Sequence, residues 1–186
     1  MRRLARRHSS RSEQGRYLVD GPVLLAEALA AAVPLDGVYA EPAAQDHPAV
    51  RAAAGAGVAV HPVADGALKK VLDLVAPQSV VAVARVRPVV LAEVLTAAVD
   101  AAAPLLVLVE LQDPGNAGTL VRVAEAAGCA GVVLTERSVD LFNPKTVRAT
   151  AGSLFRVPVV QGVPVDEVMS ACGAAGVPTL ATVASA

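Results

Sequence analysis

The chain has 186 residues, enough for one large domain or two small ones. It is 54% hydrophobic but only 2% aromatic, so its core must be packed from Ala, Val and Leu. A net charge of −1 excludes a uniformly basic nucleic-acid coat, and no apolar run is long enough and free enough of charge and proline to argue for a membrane span.

The charge is uneven. Arg2, Arg3, Arg6, Arg7, Arg11 and Arg16 crowd the start, with only Glu13 opposing them. Such a cluster reads either as a phosphate-binding arm or as a solvated, frayed terminus. No apolar segment follows it, which argues against a secretory signal. Cys129 and Cys172 each lie in apolar sequence without a C-x-x-C partner, and are expected to be reduced core residues of a cytoplasmic protein. His8, His47 and His61 are scattered and lack the spacing of a metal site, so no metal is expected.

From Gly21 the sequence alternates between helical and strand periods. Pro22 suits a first helical turn, and Leu24, Leu25, Ala28, Leu29, Ala32 and Val33 then share one face. The pattern predicts a strand at 36–40, a helix at 47–54, a strand at 58–63 broken by Pro62, and a helix at 65–75 with Leu68, Val71, Leu72 and Val75 inward. A β-branched strand follows at 79–86. Residues 89–103 form an Ala-rich bridging helix. The nearly all-apolar strand at 105–111 has the composition of one covered on both faces, as in a parallel sheet. Then come a helix at 117–127 stopped by Gly128, a strand at 132–135, a short helix at 144–151, a strand at 157–160, a helix at 165–175 and a fourth strand at 179–183. Such strand–helix–strand units imply right-handed crossovers and a doubly wound α/β sheet. No helix follows that last strand, which fits either a shortened chain or an edge strand.

Ligands of such sheets bind beyond the carboxyl ends of the strands. The first loop there reads Asp113-Pro114-Gly115-Asn116-Ala117-Gly118-Thr119. Its glycines permit close backbone approach, Asn116 is placed to cap the next helix, and Arg122, about a turn further on, can point back to the loop mouth. The spacing is neither G-x-G-x-x-G nor a Walker A loop, and the residues alone also fit an ordinary capped strand–helix turn. The second loop runs from Ser138 through Asp140 and Asn143-Pro144 to Lys145 and Arg148, adding positive charge that Asp140 can neutralise. No Ser–His–Asp or Cys–His arrangement supports a hydrolase.

At these loops the chain resembles the SpoU (TrmH) family of RNA ribose 2′-O-methyltransferases of the SPOUT superfamily. Leu111 to Ala124 is similar to the first family motif, and Ser138-Val139-Asp140 through Asn143-Pro144-Lys145 to Arg148-Ala149-Thr150-Ala151-Gly152-Ser153 to the second. Arg16-Tyr17-Leu18-Val19-Asp20-Gly21-Pro22 with Glu27-Ala28-Leu29, and Ala76-Pro77-Gln78-Ser79-Val80-Val81, resemble the family's L30e-like substrate-binding module, with Asp20 where Glu is commoner and Ser79 where Gly is usual.

The resemblance implies an L30e-like RNA-binding domain at 1–87 and a parallel-sheet SPOUT-type (α/β knot) methyltransferase domain at 88–186. It further implies S-adenosylmethionine as methyl donor and RNA, ribosomal in preference to transfer RNA, as acceptor. Asn116 and Arg122 match the motif residues that serve the ribose and phosphate at the catalytic centre. Arg6, Arg7, Arg11, Arg16, Lys145 and Arg148 are the expected RNA ligands. The family's third motif, which carries the knot, the cofactor pocket and much of the homodimer interface, has no counterpart up to Ala186. The expectation is therefore an incomplete methyltransferase domain, inactive alone, with residues of the cofactor pocket unassigned; the alternative is a non-catalytic RNA-binding protein that uses the L30e-like module.

Overall fold

The structure, a computed structural model, describes residues 1–72 and 78–182. The arginine-rich start is helical: α1 (Arg2–Arg6) and α2 (His8–Gln14) are joined by extended Arg7, and α2 stops at left-handed Gly15. Neither an extended arm nor a frayed end is seen, because Leu4 is buried beneath α1 against Leu18 and Val81. There follow β1 (Arg16–Asp20), α3 (Pro22–Ala30), β2 (Leu35–Ala40), α4 (Pro48–Gly55), β3 (Val60–Pro62), α5 (Ala67–Val71) and β4 (Val80–Arg85).

These strands form a first sheet in the order β1-β4-β2-β3. The β-branched run takes the centre: β4 is antiparallel to both β1 and β2, and only β3 runs parallel to its neighbour β2. The predicted helix at 65–75 is shorter than its apolar period implied. It ends at Val71, where Leu72 turns extended and buries itself in the sheet's outer layer; Val75 lies outside the described residues.

The second half contains α6 (Leu91–Ala101), β5 (Leu105–Leu108), α7 (Pro114–Ala126), β6 (Gly131–Thr135), α8 (Pro144–Ala149), β7 (Val159–Val163) and α9 (Val165–Ala174). Its sheet is wholly parallel, in the order β5-β6-β7, as the strand–helix alternation requires. Two sequence-based expectations change here. The strand predicted at 105–111 stops at Leu108 and, among the described residues, lies at the edge of the sheet; both its faces are packed, Leu106 on the core shared with the first half and Leu105 and Val107 on the α6/α9 cluster, though all three stay half-buried. No strand forms at 179–182 among the described residues, where Leu180 is 97% exposed and has no sheet neighbour; Val183 lies outside them.

The two sheets share one core. Val19, Leu25 and Val38 of the first half belong to the same apolar cluster as Val121, Leu134, Leu141 and Val147 of the second. Fully burying one such Leu or Val is worth about 1.5–3 kcal/mol, so the halves are joined by apolar burial as well as by the chain. The opposite face of the parallel sheet is closed by α6 and α9 through Val94, Leu95, Val168 and Cys172. Among the described residues no helix is long and apolar enough to cross a membrane, and no cluster of His, Cys, Asp or Glu could hold a metal ion.

Candidate active site at the carboxyl ends of the parallel strands

The loop after β5 is fixed by its cap. Asp113, in extended conformation, accepts a hydrogen bond on Oδ1 from the Asn116 backbone N–H at 2.7 Å, and Pro114 occupies the first helical position. The helix therefore begins three residues before the predicted position. Asp113, not Asn116, is its cap, because a carboxylate three residues ahead reaches the free N–H first. Asn116 is released to the first turn with its side chain exposed.

From there Asn116, Thr119 and Arg122 follow at three-residue steps along the solvent face of α7, while Ala117, Gly118, Val121 and Ala124 are buried on the other. Helical side chains lean toward the N-terminus, so the Arg122 side chain leaves the helix toward the turn that holds Gly118 and can reach the loop. Among the described residues neither Asn116 nor Arg122 commits its side chain to an intramolecular hydrogen bond or ion pair. This is the surface expected of groups that serve an external ligand, and a guanidinium there offers several donors to phosphate or ribose oxygens.

The second loop is stapled to the first. Thr135 Oγ1 accepts from Glu110 N–H at 3.0 Å, Ser138 Oγ accepts from Leu111 N–H at 3.2 Å, and Val139 N–H donates to Leu111 O at 2.7 Å. Glu110 (φ 49°) and Arg137 (φ 60°) both hold the left-handed conformation disfavoured for residues with a Cβ, and their side chains form an ion pair with each other. Asn143 caps α8, its Oδ1 accepting from Lys145 N–H at 3.0 Å. Close contact between α7 and α8 depends on Gly118: a Cβ there would lie 2.3 Å from Ala149 Cβ and 2.6 Å from its carbonyl carbon.

The six residues expected to bind RNA are not equivalent. Arg6, Arg7 and Lys145 are exposed. Arg16 is bridged to Asp36, and Arg148 to Asp20. Arg11 departs from the expectation: it is 3% exposed, donating through Nε to Asp140 at 2.7 Å and through Nη1 to Leu4 O at 2.6 Å. It is an internal clamp, because the α2 face that carries it packs inward. Sequence reasoning also missed Arg156, which joins Glu27 (2.6 Å) of the first half to Glu125 of α7 and holds the Glu125 carboxyl below its usual range. Tyr17 packs on Phe142 across the same junction, ring centroids 5.0 Å apart and planes tilted by 43°, its burial pushing the phenol up. A cavity of about 410 Å³ opens between the halves, but at the amino ends of β6 and β7, beside Ala130, Pro158 and Val159, away from Asn116 and Arg122.

Residues 103–186, which contain both stapled loops, match the SpoU rRNA Methylase family, and residues 1–82 match the MRM3-like substrate binding domain. Residues 103–186 form a SpoU rRNA methylase family domain. The chain is 32% identical over 151 residues to the 23S rRNA (guanosine(2553)-2'-O)-methyltransferase RlmP of Bacillus subtilis, an alignment that covers 81% of the chain and 56% of that relative. It is 35% identical over 156 residues to the mitochondrial rRNA methyltransferase 3 of Mus musculus, covering 82% and 37%. Among solved structures, the AdoMet-bound rRNA methyltransferase from Sinorhizobium meliloti superposes with a TM-score of 0.76 at 26% identity, covering 94% of the chain and 64% of that protein. AviRb from Streptomyces viridochromogenes in complex with AdoMet superposes at 0.74 with 25% identity, covering 93% and 65%. The chain thus spans between about a third and two thirds of the length of these proteins.

Proposed function

We propose that this chain is the RNA-binding and acceptor-orienting part of a ribose 2′-O-methyltransferase that uses S-adenosylmethionine and acts on ribosomal RNA in preference to transfer RNA. The observation that carries this reading is the uncommitted Asn116–Thr119–Arg122 row on α7, set beside a second loop that presents Lys145. The names of the relatives supply the reaction class. Residues 1–87 serve as the substrate-binding unit and 88–186 as the methyltransferase unit, in a homodimer of the cytoplasm. Two free cysteines, Cys129 and Cys172, support a reducing setting.

A ribose hydroxyl is a poor nucleophile, so it must be oriented and its developing charge stabilised. Asn116 can hold a ribose oxygen through its amide. Arg122, which keeps its proton, stabilises charge on the attacking oxygen or its phosphate and is not a base. The methyl donor supplies an electrophilic methyl group when bound. The amide, hydroxyl and guanidinium on this helix face suit a sugar–phosphate; they do not enclose a purine or a sulfonium. The role of these residues is therefore confined to the acceptor, and weak or no binding of S-adenosylmethionine by the 186-residue chain is the expected calorimetric result.

The test is mapping of 2′-O-methyl sites in ribosomal RNA from cells lacking the gene. One ribose methyl should disappear and return with the wild-type gene but not with Arg122→Lys. Near-normal restoration by Arg122→Lys removes Arg122 from catalysis. An unchanged methyl map, with RNA binding retained, favours the non-catalytic alternative.

A further inference from the structure

The first sheet has an outer face that the site above does not use. Strand pairing fixes which residues share it. Leu18 and Gly37 both lie opposite Val83, and Tyr39 lies opposite Val81 on one side and His61 on the other. Arg16 and Arg85 lie opposite each other two residues beyond Leu18 and Val83, so they emerge on the same face. α1 through Leu4, α5 through Leu68, and Leu72 just beyond α5 cover its middle.

What remains open has two parts. The first is aromatic. His61, exposed on the short edge strand β3, stacks on Tyr39 with ring centroids 4.9 Å apart and planes 26° apart. Gly37 makes room for it, since a Cβ there would come within 3.3 Å of His61 Nε2. In a chain with two tyrosines, two phenylalanines and no tryptophan, and with Tyr17 engaged by Phe142, this is a notable placement of aromatic surface.

The second part is cationic. Leu35 lies opposite Ala84 and Gly37 opposite Val83, so Asp36 is the extra residue of a β-bulge. Bulges re-aim side chains, and this one brings the Asp36 carboxylate between two arginines. Its Oδ1 accepts from Arg85 Nε at 2.6 Å, and its Oδ2 accepts from Arg16 Nε. One carboxylate organises two guanidiniums and leaves an excess positive charge. The Arg85 side chain is 62% exposed, and its terminal nitrogens make no hydrogen bond among the described residues.

His61 lies on the Val81 rung, two strands across and four residues along from Arg85, so the two Cα atoms are about 16 Å apart; the His61 ring leans back over Gly37, which narrows this to a gap that an arginine side chain and one or two nucleotides can bridge. An exposed ring backed by a half-buried one, near paired guanidiniums, is what an unstacked base and a phosphate require, and base-on-aromatic stacking tolerates any sequence.

We propose that this face is a single-stranded RNA subsite, with a base lying on the His61–Tyr39 stack and a phosphate one or two nucleotides along the strand held by Arg85, with Arg16 beside it. It rests on the reading of the protein as RNA-binding and adds to it a place where a looped-out nucleotide, distant from the methylated ribose, is held.

The test uses the 186-residue chain and a hexauridylate RNA carrying one central 2-aminopurine, whose fluorescence is quenched on stacking. The wild type should bind and quench. His61→Ala should weaken binding roughly five- to a hundredfold and abolish the quenching. His61→Phe should retain both. Arg85→Gln should weaken binding and lower the slope of log affinity against log salt by about 0.7 while leaving the quenching of bound RNA in place. If both His61→Ala and Arg85→Gln bind like wild type, the subsite is wrong and the broader RNA reading stands. The subsite is equally excluded, with the broader reading intact, if the wild type binds a structured ribosomal RNA fragment but not the hexamer. If it binds neither, both readings fall.

Discussion

Arg11 reaches Asp140 across 129 residues of sequence, its Nε 2.7 Å from the carboxylate, and both side chains are removed from solvent. The contact ties helix α2 to the loop that leads into α8. The two partners do not carry equal risk. Asp140 also accepts from Phe142 N–H at 2.9 Å and lies 2.9 Å from His8, whereas among the described residues Arg11 has only Leu4 O besides. Removing Asp140 strands a buried cation, and an uncompensated buried charge costs more than the pair contributes. Asp140→Ala should therefore destabilise by about 3 kcal/mol, and Arg11→Leu by clearly less. Urea denaturation of the two variants checks the order; equal losses would show that the contact does not act through the stranded charge.

Much of this architecture is legible in the sequence because its causes are local. Pro22 and Pro144 start helices, Gly128 stops one, and the β-branched run at 80–85 is an interior strand. The two motif loops are legible too, as turn residues at strand ends. What stays hidden depends on long-range pairing. Nothing near Arg11 in sequence announces Asp140, and nothing near Asp20 announces Arg148. Asp36 reads as an ordinary strand residue until the register on β4 makes it a bulge. The cap falls on Asp113 instead of Asn116 for a local reason: both residues can cap, and only the backbone conformation at Asp113 decides.

Gly118 is the contact point of α7 and α8. A methyl group there meets Ala149 backbone as well as its side chain, so no rotamer change relieves it. Gly118→Ala would gain helix propensity of about 1 kcal/mol in isolation. Separation of the helices should outweigh that gain, giving a net loss of about 2–3 kcal/mol in chemical denaturation. By contrast Gly173→Ala in α9, where a Cβ meets nothing within 4 Å, should be neutral or stabilising.

Helix ends give a prediction of opposite sign. α6 ends on Ala102 at φ 47°, a left-handed conformation in which the Ala102 and Ala103 N–H groups bond back to Val99 and Ala98. That conformation costs a residue with a Cβ about 1–2 kcal/mol, whereas α7 and α9 are followed by glycines at φ 68° and 66°. Ala102→Gly should stabilise by about 0.5–1 kcal/mol after the glycine's own entropy loss, and raise the melting temperature by about 2–3 °C. Gly176→Ala should lower it. Calorimetric scans of the pair decide whether these caps are limited by backbone strain.

The Asp36 carboxyl is held below its ordinary range chiefly by the hydrogen bond from Arg16, then by that from Arg85, with partial burial opposing both. A carboxyl whose folded-state pKa is depressed binds its proton more readily when the chain unfolds. Its contribution is therefore fully present above the unfolded value near 3.9, and is lost as pH falls through the lower folded value. The arginines themselves do not titrate in this window. Wild type should thus exceed Asp36→Asn in stability by a constant margin at neutral pH. The margin should begin to shrink below about pH 4 and vanish only in stronger acid. The bridges are partly exposed, so solvent screening keeps the margin small, about 1 kcal/mol or less, and added salt should reduce it further. Urea titrations of both proteins between neutral pH and acid measure it. A margin that stays flat through the acid range would mean that the two arginines are not held by the Asp36 charge.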